Sequence, residues 1–516
     1  MKKLFAAIMA LFAVASAEAA PLKIGWATAD ASTDKPVHLQ GLNRRRVSQG
    51  LRDPITITAL VIDNGEDFVV FNSWDTSCVF GTMAKRVRAG VEQKLPGFPV
   101  EKIIFNAIHT HTGPSTGPGY DEPVDIEYRN MFIDKAVDTI VRAWNDRKPG
   151  KIGYGYDFAV TAFSRRPVYM DDLRKRMGKD GKPKTPGLSP DIHAKLHGDS
   201  NDPYFSHMEA APDPFVNFLF TYDMNDKLTG MIFNIAFPSQ VSLPDMKLGS
   251  DCWSDIRREL KKEFGDIYLL PQCAAAGDLT YKIPYYNKAT ARKHELRFGR
   301  KEAFPGEFER VRCTEQMMAA LHRTLPWASK ELYSDLPLRH INTVLHLKRF
   351  YATPERIAEA KENLAKLEEL KKDKTLAPDK MKRVKDAFWR NKKILNLNDE
   401  IKKKPTWAME FHVLRIGEVA FVSERYELYT DFGQRIQARS PFTQTFTIQL
   451  SAGLPDLPGF VGAYLPTARS LPNGGYQSHP LNNYNSPSPE GGQQMVDEAV
   501  RLLYELKKDD EKTENK

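Results

Sequence analysis

The sequence predicts an α/β protein with a mixed β-sheet core, flanking helices and a charged helical hairpin. Three observations lead there. Runs rich in β-branched and aromatic residues, such as ITITALVI from Ile55 and NFLFTY from Asn217, alternate with segments of helical spacing. Several of these runs stop in loops that carry His, Gln, Asp, Ser or Thr beside Gly and Pro. The composition, 27% charged and 41% apolar over 516 residues, is that of a folded chain and excludes disordered and collagen-like classes.

The first twenty residues combine Lys2 and Lys3, an apolar run from Leu4 to Ala15 and the small-residue site Ala17-Glu18-Ala19. This pattern predicts a secretory signal peptide over residues 1–20 and an exported chain, periplasmic or extracellular. That run is too short to span a bilayer, and no later stretch reaches roughly 18 apolar residues, so no transmembrane segment is expected. The length leaves one or two domains open.

Two β runs within residues 55–71 flank Asp63-Asn64-Gly65 and predict a hairpin. A helix is expected over 83–95, a strand over 102–108 and a second helix over 126–144. Residues 171–213 lack periodicity and are expected to form a long functional or mobile loop. Strands over 217–222 and 231–236 flank Asn225-Asp226; a helix over 254–264 and a strand over 267–270 follow. Thr353-Pro354-Glu355 is a helix start, and apolar spacing through 351–405 predicts two charged antiparallel helices broken at Ala377-Pro378. Strands over 408–414, 419–422 and 445–450 enclose a helix over 427–438, and residues 507–516 form a polar tail.

Cys78, Cys252, Cys273 and Cys313 show no metal-ribbon or disulfide-scaffold spacing, so buried thiols are expected, although an oxidising compartment would permit any one pair to bond. The net charge of +8 is largely local: residues 355–404 hold 16 Lys and Arg against 10 Asp and Glu. A solvated helical face is the expected account of that block, and contact with an anionic membrane surface or polyanion is the alternative. No nucleic-acid partner is expected, and the sequence leaves the oligomeric state open.

Strand ends converge on sites in open α/β sheets, which nominates the loops after 108, 236 and 270 for one pocket. In His109-Thr110-His111-Thr112-Gly113-Pro114 the two histidines leave one face of an extended chain. They could share a metal or substrate atom, or be structural hydrogen-bonding residues. Asp75 is a candidate partner for a histidine, and Asp278 is expected to pin its loop. Cys273 is expected to pack rather than to attack.

The chain resembles the neutral (non-lysosomal) ceramidases over most of their catalytic domain. The resemblance rests on His109-Thr110-His111-Thr112-Gly113-Pro114, Ser164-Arg165-Arg166, Asn234-Ile235-Ala236-Phe237-Pro238-Ser239, Gly277-Asp278-Leu279-Thr280, Glu427 with Gly433-Gln434-Arg435, and Tyr464-Leu465-Pro466-Thr467 with Tyr476, in that order. It implies a ceramidase-like catalytic domain over 21–506 and a zinc amidase acting on the N-acyl bond of a ceramide-like, sphingolipid substrate. By the resemblance His109, Glu427 and Tyr464 are zinc ligands. His111, Arg165, Thr280 and Tyr476 fall on catalytic or substrate-binding positions. Where the family has its second zinc histidine this chain has Phe237, and Thr280 replaces a serine. The further immunoglobulin-like domain common in the family is not expected in the residues after Tyr476, and peripheral membrane contact is left open.

Three functions follow. The first is a secreted zinc-dependent hydrolase of an amide bond. The second is a non-catalytic protein of the same fold that binds a lipid or saccharide, its metal site degraded at Phe237. The third is hydrolysis in the same pocket without metal.

Overall fold

The computed structural model describes residues 21–42, 45–117, 122–178, 191–452, 463–476, 478 and 486–514. The leader read over 1–20 lies outside them, as do 179–190 of the long loop.

The strands are β1 (Lys23–Asp30), β2 (Thr56–Asp63), β3 (Phe68–Trp74), β4 (Ile103–Ala107), β5 (Lys148–Phe158), the short β6 (Phe163–Ser164), β7 (Pro167–Tyr169) and β8 (Phe205–Met208), then β9 (Phe215–Asp223), β10 (Leu228–Ile235), β11 (Tyr268–Cys273) and β12 (Leu279–Thr280). They continue with β13 (Leu338–Lys348), β14 (Thr406–Ile416), β15 (Val419–Ser423), β16 (Glu427–Leu428), β17 (Gln444–Ile448) and β18 (Tyr464–Leu465). The helices are α1 (Gly81–Lys94), α2 (Pro123–Asn145), α3 (Cys252–Phe264), α4 (Asn287–Phe298), α5 (Glu307–Ala328), α6 (Pro354–Lys372), α7 (Pro378–Lys403), α8 (Thr430–Arg439) and α9 (Pro489–Glu514). The last continues through residues expected to be a polar tail.

One eight-stranded ladder runs β11-β10-β9-β5-β1-β2-β3-β4, and a four-stranded one runs β13-β14-β15-β17. The hairpin β2/β3 turns at Asp63-Asn64-Gly65, where Asp63 Oδ1 accepts from Gly65 N at 2.7 Å. Its side chains alternate between two apolar layers: Ile57, Ala59 and Val61 meet α1 and α2, whereas Leu60 and Ile62 face the second sheet. That is why this strand is apolar almost throughout. In the other half of the large ladder Phe218, Phe220, Met231 and Phe233 meet α3 and α5, and Met409, Phe411 and Val413 of the small sheet meet α8 and α9. Between the sheets Phe71 packs on Phe421 with ring centres 5.0 Å apart, and Phe421 on Phe446 at 4.4 Å. Each such buried ring contributes roughly 2–3 kcal/mol.

Among the described residues the two halves of the large ladder are joined only by the pairs Lys23↔Pro149 and Ile24↔Lys148. At this weak joint the sheet folds back, and the edge strand β11 comes to rest against β2, β3 and β4. Ser73 Oγ and Asn106 Nδ2 both donate to Pro271 O, at 2.7 and 3.0 Å. In the ladder β4 runs opposite to β10 and β11. Parallel neighbours therefore do not bring their carboxyl ends together; the fold-back does.

Two local expectations need correction. Glu427 does not open a helix, because Glu427 and Leu428 pair in parallel with Tyr464 and Leu465, and α8 starts only at Thr430. The loop over 171–213 contains structure, since β8 lies antiparallel to β7 across it. The helices α6 and α7 form a hairpin with its own small core, in which Ala360, Ile394 and Leu397 join Phe350 and Ala352.

Candidate functional site

His109 lies two residues beyond β4 and adopts φ 63°. The left-handed conformation costs a non-glycine residue about 1–2 kcal/mol. It is held here by both ring nitrogens: His109 Nδ1 lies 2.7 Å from Ser77 O and Nε2 lies 3.1 Å from Glu427 Oε2. Both ring nitrogens therefore face oxygen acceptors, the Ser77 carbonyl and the Glu427 carboxylate.

Tyr464 is the register partner of Glu427 across β16/β18, which sets the two side chains adjacent on one face. Its hydroxyl is hydrogen-bonded to Glu427 and to Arg165, and burial pushes its pKa well above the ordinary phenol value. The Arg165 guanidinium lies 3.7 Å from Glu427 Oε2, sits 4.9 Å over the Tyr464 ring and donates to Gly277 O at 2.6 Å. Burial opposes its charge, but the Tyr464 and Glu427 oxygens outweigh that and hold it protonated. Gly277 is required by close approach, since a Cβ there would lie 2.3 Å from Glu427 O. The buried His109, Glu427 and Arg165 and the partly buried Tyr464 thus form one cluster built from segments distant in sequence.

His111 lies beside this cluster, its ring centre 5.0 Å from that of His109. Burial lowers its pKa well below the usual imidazole range, helped by His109, Arg46 and Arg165. Its Nε2 lies 3.1 Å from Gln240 Nε2, and its buried Nδ1 has no hydrogen-bond partner among the described residues. The Gln240 amide donates to Nε2, so the proton belongs on Nδ1. Tyr476 is 37% exposed, with its ring centre 6.1 Å from that of Tyr464, so it stands at the outer edge of the cluster. Thr280 is buried on β12, paired with Phe163 two residues before Arg165, and its hydroxyl accepts from Lys282 N at 3.4 Å. Among the described residues it makes no hydrogen bond to the cluster.

Phe237 is wholly buried and belongs to the apolar core with Ile108, Val241, Trp253 and Cys273. Among the described residues no group of three His, Cys, Asp or Glu could hold a metal ion; a shared site here needs the Tyr464 oxygen. Asp75 does not partner a histidine: it accepts from Arg257 at 2.7 and 3.0 Å and from Thr56 N. Asp278 accepts from the N–H and hydroxyl of Thr430 and so caps α8 from 152 residues away, and burial raises its pKa to about 6. Cys273 is buried with its thiol pushed up to about 12, which makes it a poor nucleophile.

Sequence reasoning named no role for Gln240, for the Ser77 carbonyl or for His197, whose backbone N–H donates to Arg165 O at 2.8 Å. Gln240 had a usable signal, a polar residue just past a strand end. Ser77 and His197 act through the main chain, which side-chain identity does not reveal.

No family model and no curated protein matches the chain. Its fold is similar to two solved structures. One is neutral ceramidase from Pseudomonas aeruginosa, with a TM-score of 0.58 and 16% identity over 94% of this chain and 75% of that one. The other is a ceramidase complexed with C2, with a TM-score of 0.60 and 16% identity over 94% and 76% of the two chains. The chain therefore has a neutral ceramidase-like fold.

Proposed function

We propose that this chain is a ceramidase-like hydrolase that cleaves the N-acyl amide bond of a ceramide-like or related lipid, with zinc held by His109, Glu427 and Tyr464. The observation that carries the reading is the approach of His109 Nε2 to Glu427 Oε2 at 3.1 Å while Nδ1 is occupied by Ser77 O. A single ring proton cannot serve both acceptors, so a cation belongs between Nε2 and Oε2, either a second ring proton or a metal ion, and the Tyr464 oxygen beside them supports the metal. Imidazole nitrogen, carboxylate oxygen and phenol oxygen form a donor set suited to zinc and leave room for substrate. When bound, the metal would polarise the scissile carbonyl and lower the pKa of a water.

The remaining roles belong to the protein. Arg165, buried and held protonated, is placed to stabilise an oxygen that gains negative charge. His111, with Nε2 engaged by Gln240 and its ring centre 5.0 Å from that of His109, is placed to line the reacting space. Tyr476, partly exposed, can meet substrate entering past Tyr464. Export through the leader over residues 1–20 is part of this proposal; none of the described helices is long and apolar enough to cross a membrane.

The burial of Phe237 in the core favours a second reading, a non-catalytic lipid-binding protein, because it withholds a fourth protein ligand. Metal analysis together with hydrolysis of a fluorescent N-acyl sphingosine separates the two. The hydrolase should carry about one zinc per chain, with zinc affinity at least about a hundredfold weaker in His109→Ala and Glu427→Gln, and should release the acyl chain. Binding of the lipid without zinc or turnover supports the second reading.

A further inference from the structure

We infer that the outer face of α7 is a docking surface for an anionic phospholipid membrane. Three of the four lysines of α6 are neutralised within the helix: Lys366 pairs with Glu362 at 2.5 Å, Lys371 with Glu368 at 3.4 Å and Lys372 with Glu369 at 2.8 Å. The lysines of α7 are arranged differently. Lys382, Lys385, Lys392 and Lys403 recur at helical spacing on one exposed face and make no ion pair among the described residues. Of the acidic residues on that face, Asp399 pairs with Lys402 at 3.1 Å and Glu400 is engaged by Arg349 at 3.7 Å, which leaves Asp386 against the four lysines.

Trp389 stands in the middle of the stripe and is 64% exposed, more than any other described tryptophan. Lys392 Nζ lies 5.4 Å from its ring centre, and a shallow cavity of about 300 Å³ opens beside it, lined in part by Arg390 and Asn396. An exposed indole ringed by unneutralised lysines matches the headgroup level of a bilayer, where the ring is buried at the interface and the ammonium groups meet lipid phosphates. A soluble polyanion would satisfy the lysines but leaves the exposed indole unexplained. The hairpin core also includes Leu471, from the segment that carries Tyr464 and Tyr476, and Arg174 ties Glu359 of α6 to the protein body at 2.9 Å. The hairpin that carries α7 is therefore anchored to the segment that bears Tyr464 and Tyr476.

The test is co-sedimentation of the full mature chain with vesicles of phosphatidylcholine alone and of phosphatidylcholine with phosphatidylglycerol, plus retention on heparin. It needs no catalysis, so it is independent of the hydrolase reading. We expect binding only to the anionic vesicles, weakening as salt rises. Lys382→Gln/Lys385→Gln/Lys392→Gln should lower it about a hundredfold. Trp389→Ala should lower it about tenfold. All four changes lie at exposed positions, and melting curves confirm that the variants fold. Wild-type failure to bind anionic vesicles overturns the inference. So does a Trp389→Ala variant that binds them unchanged, and heparin retention without vesicle binding would identify the face as a polyanion site instead.

Discussion

Gly277→Ala is a test of how the site is held together. The added Cβ would lie 2.3 Å from Glu427 O and 2.9 Å from the Leu428 carbonyl carbon, against an ordinary contact of about 3.5 Å. Both are backbone atoms, so one chain must move by about 1 Å. Gly277 also donates to Leu428 O at 2.7 Å and accepts from Arg165 at 2.6 Å, so the movement separates Glu427 from the loop that anchors Arg165. Overpacking costs about 1–3 kcal/mol, and weakening these hydrogen bonds adds about 1 kcal/mol. The melting temperature should fall by about 5 °C. Zinc affinity should fall at least about tenfold, because coordination tolerates displacements of only about 0.2 Å. Gly153→Ala is the control: its Cβ meets Ala328 O at 2.9 Å, so stability should drop while zinc binding persists. Wild-type melting and zinc affinity in Gly277→Ala would refute the proposed packing of this loop on Glu427.

Three other outcomes are expected. Because the Asp278 pKa is raised to about 6 in the native state, the folded chain keeps its proton longer than the unfolded one, so stability falls as pH rises from about 4 and levels off above about 6. Asp278→Asn should remove roughly 3 kcal/mol of that fall, and urea midpoints at pH 5 and 8 that shift equally in both proteins would contradict it. Phe237→His should destabilise the chain by about 2–4 kcal/mol without tightening zinc, since the imidazole enters an apolar core; a calorimetric gain in zinc affinity would show that the position faces the metal. Arg165→Lys should lower kcat on an amide substrate about a hundredfold or more with little change in KM; a change confined to KM would make Arg165 a binding residue only.

Much of the fold can be read from sequence wherever local signals agree with burial. The hairpin β2/β3 and the start of α6, where the Thr353 side chain accepts from Arg356 N, are examples. β5 escaped notice because KPGKIGYGYDF looks like a turn. Its glycines answer to neighbours instead: a Cβ at Gly155 would lie 2.5 Å from the Trp327 ring. α5 was hidden by Pro326 inside it and by the buried cation Arg310, whose partner Asp53 lies 257 residues away and gives no local pattern. The site was legible only through the family resemblance. A histidine and a carboxylate that meet across 318 residues leave no spacing to recognise, and the partners that orient the cluster include carbonyl oxygens, which any residue supplies.

The weak joint between β1 and β5 has a consequence for how the molecule is made. The cluster closes only when residues from 109 to 464 have met, and the sheet must fold back on a two-pair hinge before they can. Contacts of such long sequence separation form slowly, after loop-closure entropy has been overcome. A chain emerging from its N-terminus can build the β1–β4 half with α1 and α2 early, while Glu427 and Tyr464 are still missing. Fragments ending before Glu427 would therefore leave His109 Nε2 without its carboxylate partner, and the cluster is complete only once the segment that carries Tyr464 has docked.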